Sequence, residues 1–390
     1  MGALITIIVP AYNVEKYIQE CLNSLVHQTM INHKIVIVND GSTDGTEKIC
    51  KEFEKEYKEL ITYVYQENQG LGAARNTGMK YVDTPFLTFL DSDDWLNTRY
   101  VERFAEMIEN TDEMPDMVFT LPWVYDSSSK CVLPWKDKNL YDKIFEVKGD
   151  ISRVVTNARK KPEMYALEVT SCRKIYKTTF LKANSFQFPV GLKWEDVPGH
   201  FILLHQANTC MALPEVGFFY RINQGGQITS GGGKSRLDIL PIFKQLLQIQ
   251  KEYQFNEIEK AYVMRVIVDF SMWSVDVTNQ QYIGELLDNL HELYNKFSQK
   301  EVLYYLKNIS VDGHRESGFI KCLGSGEYKK LLDYETREQA IEKYALNISA
   351  YAGKGKNKRG LIRGGIQCIC DHGVSYTLVW MCRKYLFGQR

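Results

Sequence analysis

Three carboxylates, Asp91, Asp93 and Asp94, stand within four residues, with Ser92 between the first two. Aspartates two apart can turn toward one hard divalent cation and leave positions open for phosphate oxygens. The same residues also suit a polar turn capping a helix that starts near Asn97, because Asp and Ser favour turns and caps. Further on, Glu195 and Asp196 open an apolar helical run through Phe201, Ile202, Leu204 and His205, where the helix dipole favours acids in the first turn. Asp40 can offer a carboxylate to an N–H of a nucleobase, with Pro10, Ala11 and Tyr12 as a flat wall beside it. Arg75 falls near the start of a helix, where a positive dipole end and a guanidinium both favour a diphosphate. Plainer roles compete with each of these: turn and cap work for Asp40 and Asp44, a surface ion pair for Arg75.

These residues need elements to carry them, and the apolar pattern supplies four. Leu4–Val9, Lys34–Val38, Ile61–Tyr65 and Phe86–Leu90 read as strands, each short, apolar and bounded by polar or glycine-rich residues. Between them run helical patterns, the first carrying Val14, Tyr17, Ile18, Cys21, Leu22, Leu25 and Val26 on one face, with Asn13 as its expected N-cap. Strand and helix alternate through the first 110 residues, which predicts an α/β fold with a mostly parallel, doubly wound sheet. In such sheets ligands bind beyond the carboxyl ends of the strands, and every candidate named above in this half falls there. Strands are also expected over Asp116–Leu121, Leu167–Tyr176 and Thr209–Tyr220, with an exposed loop over Trp123–Lys138. Arg221 and a glycine-rich run follow the last strand, as a lid over a diphosphate or as a linker.

Four stretches occur together in the first 95 residues: Ile-Ile-Val-Pro-Ala-Tyr-Asn, Val-Asn-Asp-Gly-Ser-Thr-Asp-Gly-Thr, Glu-Asn-Gln-Gly-Leu-Gly-Ala-Ala-Arg-Asn-Thr-Gly and Phe-Leu-Asp-Ser-Asp-Asp-Trp. In order and spacing they resemble the inverting family 2 glycosyltransferases of GT-A fold, of the kind that build bacterial polysaccharides. The resemblance implies that Pro10, Ala11, Tyr12 and Asp40 hold uridine, and that Asn68 and Arg75 lie near the nucleotide. It implies that Asp91, Ser92 and Asp93 meet the sugar nucleotide, with Asp91 and Asp93 on Mn2+ or Mg2+, and that Arg221 contacts the diphosphate. Glu195-Asp196 resembles the family's Glu-Asp motif, making Asp196 the general base and Glu195 its neighbour on the sugar. The expected donor is a UDP-sugar and the expected acceptor a glycan or lipid-linked glycan. The Gln-x-x-Arg-Trp motif of processive relatives is absent, which predicts one sugar per encounter.

Composition sets the frame. Of 390 residues 44% are hydrophobic and 25% charged, with 48 basic and 48 acidic side chains, so a general attraction to nucleic acid is not expected. Nine scattered cysteines do not form a disulfide pattern and suit a reducing, cytoplasmic compartment. Beyond Lys234 the pattern turns helical, at Leu237–Tyr253, Ile258–Val277 and Ile283–Phe297. The expected organisation is a GT-A catalytic domain over 1–233, with its nucleotide-sugar half at 1–110 and acceptor half at 111–233. A helical accessory or dimerisation domain follows over 234–350, then a tail over 351–390. From Lys354 onward eight basic residues face one acid, and Tyr376, Trp380, Tyr385 and Phe387 mark a short apolar helix. Too short to span a bilayer, it suits an anionic membrane surface at the inner face of the plasma membrane, or docking on its own domain. Two other functions compete: a non-catalytic nucleotide-sugar scaffold and a sugar-nucleotide pyrophosphorylase. The latter would want a glycine-rich, basic loop after the first strand, where this chain has Pro10-Ala11-Tyr12-Asn13.

Overall fold

The computed structural model describes residues 2–149, 152, 154–224 and 232–345. Its first half follows the apolar runs closely. β1 (Ile5–Ala11), β2 (His33–Asp40), β3 (Ile61–Gln66) and β4 (Phe86–Phe89) pair in parallel in the order β3-β2-β1-β4. β1 is buried at every position, as a central parallel strand covered on both faces must be. α1 (Ile18–Val26), α2 (Thr46–Glu56) and α3 (Leu71–Met79) provide the crossovers. α1 buries Ile18, Cys21, Leu22, Leu25 and Val26, the face its spacing predicts. Asn13 does not cap it. That residue adopts φ 51°, and its side-chain oxygen accepts from the Thr43 backbone N–H at 2.8 Å, pinning the loop after β1 to the loop after β2.

Beyond β4 the sheet is mixed. β5 (Trp95–Leu96), α4 (Tyr100–Glu109), β6 (Met117–Asp126), β7 (Cys131–Pro134), α5 (Lys138–Phe145), β8 (Lys174–Lys177), α6 (Thr178–Ala183), α7 (Asp196–Gln206) and β9 (Cys210–Ile222) follow in turn. The sheet continues β4-β8-β6-β9-β5, with β7 paired to β6 off that path. β8 runs antiparallel to both β4 and β6, and β5 antiparallel to β9, while β6 and β9 are parallel. An uninterrupted parallel run therefore holds only for β1–β4, with β6 and β9 as one further parallel pair. Among these strands only β6 and β7 form a hairpin. The others are separated by α4, α5, α6 and α7, and none of them pairs with its neighbour in the chain, so no right-handed parallel crossover sets their direction. The loop expected over Trp123–Lys138 is largely a β6–β7 hairpin, because Trp123–Asp126 pair with Cys131–Pro134. The strand expected over Leu167–Tyr176 shrinks to β8, preceded by 3-10 turns at Pro162–Ala166 and Ser171–Arg173.

Six helices make up most of the remaining described chain: α8 (Ile239–Glu252), α9 (Glu257–Val277), α10 (Gln280–Tyr294), α11 (Gln299–Asn308), α12 (Gly313–Leu323) and α13 (Tyr334–Tyr344). They share one hydrophobic core with the sheet half. Tyr165 stacks on Phe201 of α7 at 5.3 Å and also meets Phe255 and Tyr262. Asn256 and Glu259 form a capping box at the start of α9. The other Glu259 oxygen accepts from the Tyr165 hydroxyl and pairs with His205 Nδ1, both at 2.9 Å, so this cap also ties the helices to the sheet half. Among the described residues no helix is long and apolar enough to cross a membrane. The basic, aromatic tail from Lys354 and most of the glycine-rich run after Gln224 lie outside the described residues.

α3 sits so close to β1 that a Cβ on Gly78 would lie 2.4 Å from Cγ2 of the fully buried Ile8. Gly78→Ala is therefore expected to destabilise the chain by about 1–3 kcal/mol through overpacking, seen as a lower urea midpoint at an unchanged m-value.

Candidate active site

The acidic residues leave β4 as a tight turn, closed by the Asp94 backbone N–H donating to the Asp91 carbonyl at 3.0 Å. Asp94 points inward: Oδ1 accepts from the Arg221 N–H at 2.8 Å, while Oδ2 is buried with no hydrogen-bond partner among the described residues. Burial, with Asp93 and Asp91 adding repulsion, pushes its carboxyl well above the usual range. Burial and then the Asp91 charge push Asp93 up to about 6, although it accepts a short hydrogen bond from Gln224 Nε2. Asp91, its side chain 26% exposed, faces outward.

Arg221 is not free to clamp a diphosphate. It is buried, donates from Nε to the Asp93 carbonyl at 2.8 Å and from Nη2 to Glu20 at 2.5 Å, and lies over the rings of Trp95, Tyr17 and Tyr125. In this structure it latches the acidic turn; the glycine-rich run expected to follow it as a lid or a linker lies largely outside the described residues. Arg75 differs from expectation in the same way. Its guanidinium is fully buried, and it donates from Nη2 to Asp91 Oδ1 at 2.9 Å and from Nη1 to Glu195 Oε1 at 2.7 Å and Asp196 Oδ1 at 2.6 Å. Phe89 and Phe188 cover its faces. Instead of meeting a diphosphate, Arg75 gathers the carboxylates of two motifs around one charge. Burial raises the Glu195 carboxyl, and Arg75 opposes that rise.

Local packing explains the Gly-Leu-Gly-Ala-Ala-Arg-Asn-Thr-Gly stretch. A Cβ on Gly72 would meet the Pro189 carbonyl oxygen at 2.1 Å, so only glycine lets the first turn of α3 lie against the chain leading to Glu195. The Asn76 amide exchanges two hydrogen bonds with the Phe188 backbone, at 2.9 and 2.8 Å. Trp194, directly before Glu195, has φ 62°, a conformation a bulky side chain holds only when its surroundings impose it. They do. Its indole meets Trp273 of α9 edge to face, and the buried Arg236 guanidinium lies 4.1 Å from the Trp273 ring centre and 5.7 Å from that of Trp194. Lys193 Nζ also reaches Ser235 Oγ at 2.9 Å.

The nucleoside candidates lie along the same edge. Pro10 and Ala11 are buried where β1 ends, and Tyr12 is 48% exposed. Asp40 is buried and its oxygens already accept from Gln66 Nε2 at 2.7 Å and from the Gln69 and Gly70 N–H groups at 2.9 Å. The carboxylate expected to meet a base instead shapes the loop after β3. That loop exposes Asn68, whose backbone abuts Gly41. Asp44 performs the turn work expected of it, accepting from the Thr46 and Glu15 N–H groups at 3.0 and 3.1 Å. Ser92 is buried within the acidic turn.

Sequence reasoning missed several members of this site. Ser171 donates to Asp196 Oδ1 at 2.5 Å, and Tyr17, Gln224, Phe188, Trp273 and Arg236 join as described. None has a spacing that points to the site, since each arrives from a separate element. Behind Ser171, the fully buried Lys174 donates to the Val169 and Thr170 carbonyls, both at 2.8 Å. Burial, with Arg173 adding repulsion, lowers its ammonium to about 7. A cavity of about 270 Å³, lined by Met264, Phe297 and Tyr304 among others, shares no residue with this site.

Two outcomes test this electrostatic account. Arg75→Ala strands three carboxylates and is expected to cost about 3–5 kcal/mol in urea denaturation. For Lys174 the folded state releases its proton near pH 7 and the unfolded chain near 10.5, so between those values the unfolded state binds more protons. Stability lost as pH falls from 10 to 7 should therefore be recovered in Lys174→Met, read as a flatter dependence of the urea midpoint on pH.

The arrangement can be set beside known proteins. Residues 6–145 match the family described as Glycosyl transferase family 2. Glycosyltransferase GlyA of Streptococcus pneumoniae is 53% identical over 104 residues, 27% of this chain and 15% of that protein. EpsH of Bacillus subtilis is 31% identical over 203 residues, 50% of this chain and 54% of EpsH. The chain thus spans little more than half of one of these relatives and a small part of the other. The crystal structure of Staphylococcus aureus TarS 1–349 in complex with UDP-GlcNAc has the same fold, with a TM-score of 0.64 at 18% identity, covering 87% of this chain and 91% of that one. Residues 6–145 are thus similar to glycosyl transferase family 2, and the chain has the GT-A fold seen in TarS.

Proposed function

We propose that this chain transfers a sugar from a UDP-sugar to a hydroxyl of a growing glycan, with inversion and one sugar per encounter. The observation that carries the reading is the buried Arg75, which holds Asp91 of the acidic turn and Glu195 and Asp196 of a motif some 120 residues distant at the edge where the strands end. The TarS complex with UDP-GlcNAc, on the same fold, supports a uridine diphosphate donor. Residues 1–233 are read as the catalytic part and 234–350 as a helical part packed against it.

Pro10, Ala11, Tyr12 and the loop at Asn68 would frame the uridine, with Tyr12 the exposed aromatic face among them. Asp40 acts through the loop it holds. Asp91 and Asp93, with Ser92 between them, would meet the diphosphate end. Their chemistry fits a divalent cation: two hard oxygen donors, crowded enough that Asp93 is pushed up to about 6, beside a buried Asp94 oxygen without a partner among the described residues. Among the described residues no cluster of three or more such ligands forms a closed site, so diphosphate oxygens and water would complete the shell. Bound there, Mn2+ or Mg2+ would supply Lewis-acid stabilisation of the departing UDP. Asp196 takes the proton of the acceptor hydroxyl as it attacks, and Glu195 beside it faces the sugar. Arg75 and Arg221 keep these groups in place from beneath.

UDP release from UDP-GlcNAc, UDP-glucose and UDP-galactose, with manganese and with water or a glycan as acceptor, tests the reading. Asp196→Asn is expected to cut turnover by roughly two to four orders of magnitude while donor binding persists. Asp93→Asn should raise the manganese concentration needed for half-maximal turnover. Wild-type turnover in Asp196→Asn, or a product of retained anomeric configuration, would overturn it.

A further inference from the structure

Asp196 has two oxygens, and the structure treats them differently. Oδ1 accepts twice, from Arg75 Nη1 at 2.6 Å and from Ser171 Oγ at 2.5 Å. Oδ2 has no hydrogen-bond partner among the described residues, and the side chain remains 16% exposed. We propose that Ser171 is a positioning residue, which with Arg75 locks Oδ1 so that Oδ2 alone faces the acceptor hydroxyl. This rests on the assignment of Asp196 as the general base.

Arg75 cannot fix the carboxylate alone. Its Nη1 is shared with Glu195 Oε1, and one donor leaves the carboxylate free to turn about its terminal bond. A second donor, arriving from another element, fixes the plane. The hydroxyl is itself well held. Ser171 is buried at the start of a 3-10 turn, and Lys174 Nζ ties down the carbonyls of the two residues preceding it. Thr88 Oγ1 of β4 donates to the Lys174 carbonyl at 2.9 Å, joining this turn to the strand that leads into the acidic residues. Behind it, Arg173 Nη1 pairs with Asp137 at 2.5 Å. The hydroxyl is thus delivered by a rigid support, as a group that orients a base must be.

The chemistry follows from that geometry. As the acceptor oxygen forms its bond to the anomeric carbon, its proton passes to Oδ2, and the bond between that carbon and the diphosphate breaks with its electron pair leaving on the diphosphate. A carboxylate whose plane is fixed meets that hydroxyl without a search over orientations. On this assignment both oxygens of Asp196 serve the acceptor side, so the loss of Ser171 should appear in turnover and not in donor affinity.

The test uses the full chain and whichever UDP-sugar of the panel is turned over, with water as acceptor. Ser171→Ala is expected to lower kcat by about 10- to 100-fold, the worth of one hydrogen bond to a charged group, with donor KM unchanged within about twofold. Ser171→Thr keeps the hydroxyl and should restore most of kcat, while Ser171→Cys, a weaker donor of similar size, should fall between. In an Asp196→Asn background Ser171→Ala should add no further loss, because the two residues act as one unit. Wild-type kcat in Ser171→Ala, a change confined to KM, or equal loss in the Ala, Thr and Cys variants would overturn the proposal. If Asp196→Asn itself is fully active, the underlying base assignment fails; if only Ser171→Ala is active, the positioning role alone fails.

Discussion

The ion-pair cluster around Arg75 is the interaction on which the rest of the site depends. One guanidinium with no exposure to solvent holds Asp91, Glu195 and Asp196 within 2.9 Å. A buried charge of this kind is tolerable only when paired, and removing it would leave several carboxylates without a counter-charge. The cluster also dictates geometry, because the planar fork of arginine sends its donors in fixed directions. Asp91 comes from the end of β4 and the acidic pair from the start of α7, so the edge of the sheet and the start of α7 are bound to one point. Gly72 and Asn76, on the same helix as Arg75, bring the intervening backbone close enough for that to happen.

Negative charge nonetheless outweighs positive. Arg221 partly offsets Asp93 and Asp94, yet burial and mutual repulsion still hold both carboxyls above the usual range. A centre built this way has carboxylate charge in excess of the two arginines that hold it. The arrangement is local: two buried arginines hold the carboxylates, and Asp91 keeps about a quarter of its side chain exposed.

The helical part is more than an appendage. The left-handed backbone at Trp194, one residue before Glu195, is supported by Trp273 and Arg236, which belong to that part. Glu259 closes the start of α9 and simultaneously holds Tyr165 and His205. The orientation of the acidic pair therefore relies on helices well beyond the family's matched region.

The sequence by itself determined the alternating strands and helices up to β4, because short apolar runs and 3.6-residue spacing are local properties. It also determined which chemistry is present: the acidic turn, the Glu195-Asp196 pair and the glycine-rich stretch are legible as residue types in order. Direction and partnership were decided only in three dimensions. The mixed pairing of β5–β9 depends on long-range contacts that no local pattern records. Arg75, Arg221 and Asp40 were each read as facing ligand, yet each is buried beneath the surface it was expected to line. A charged residue next to a binding motif can either meet the ligand or hold the residue that does, and the two leave the same trace in a sequence. Ser171, Arg236 and Trp273 left no trace at all, since what matters in them is one contact made across a long separation in the chain.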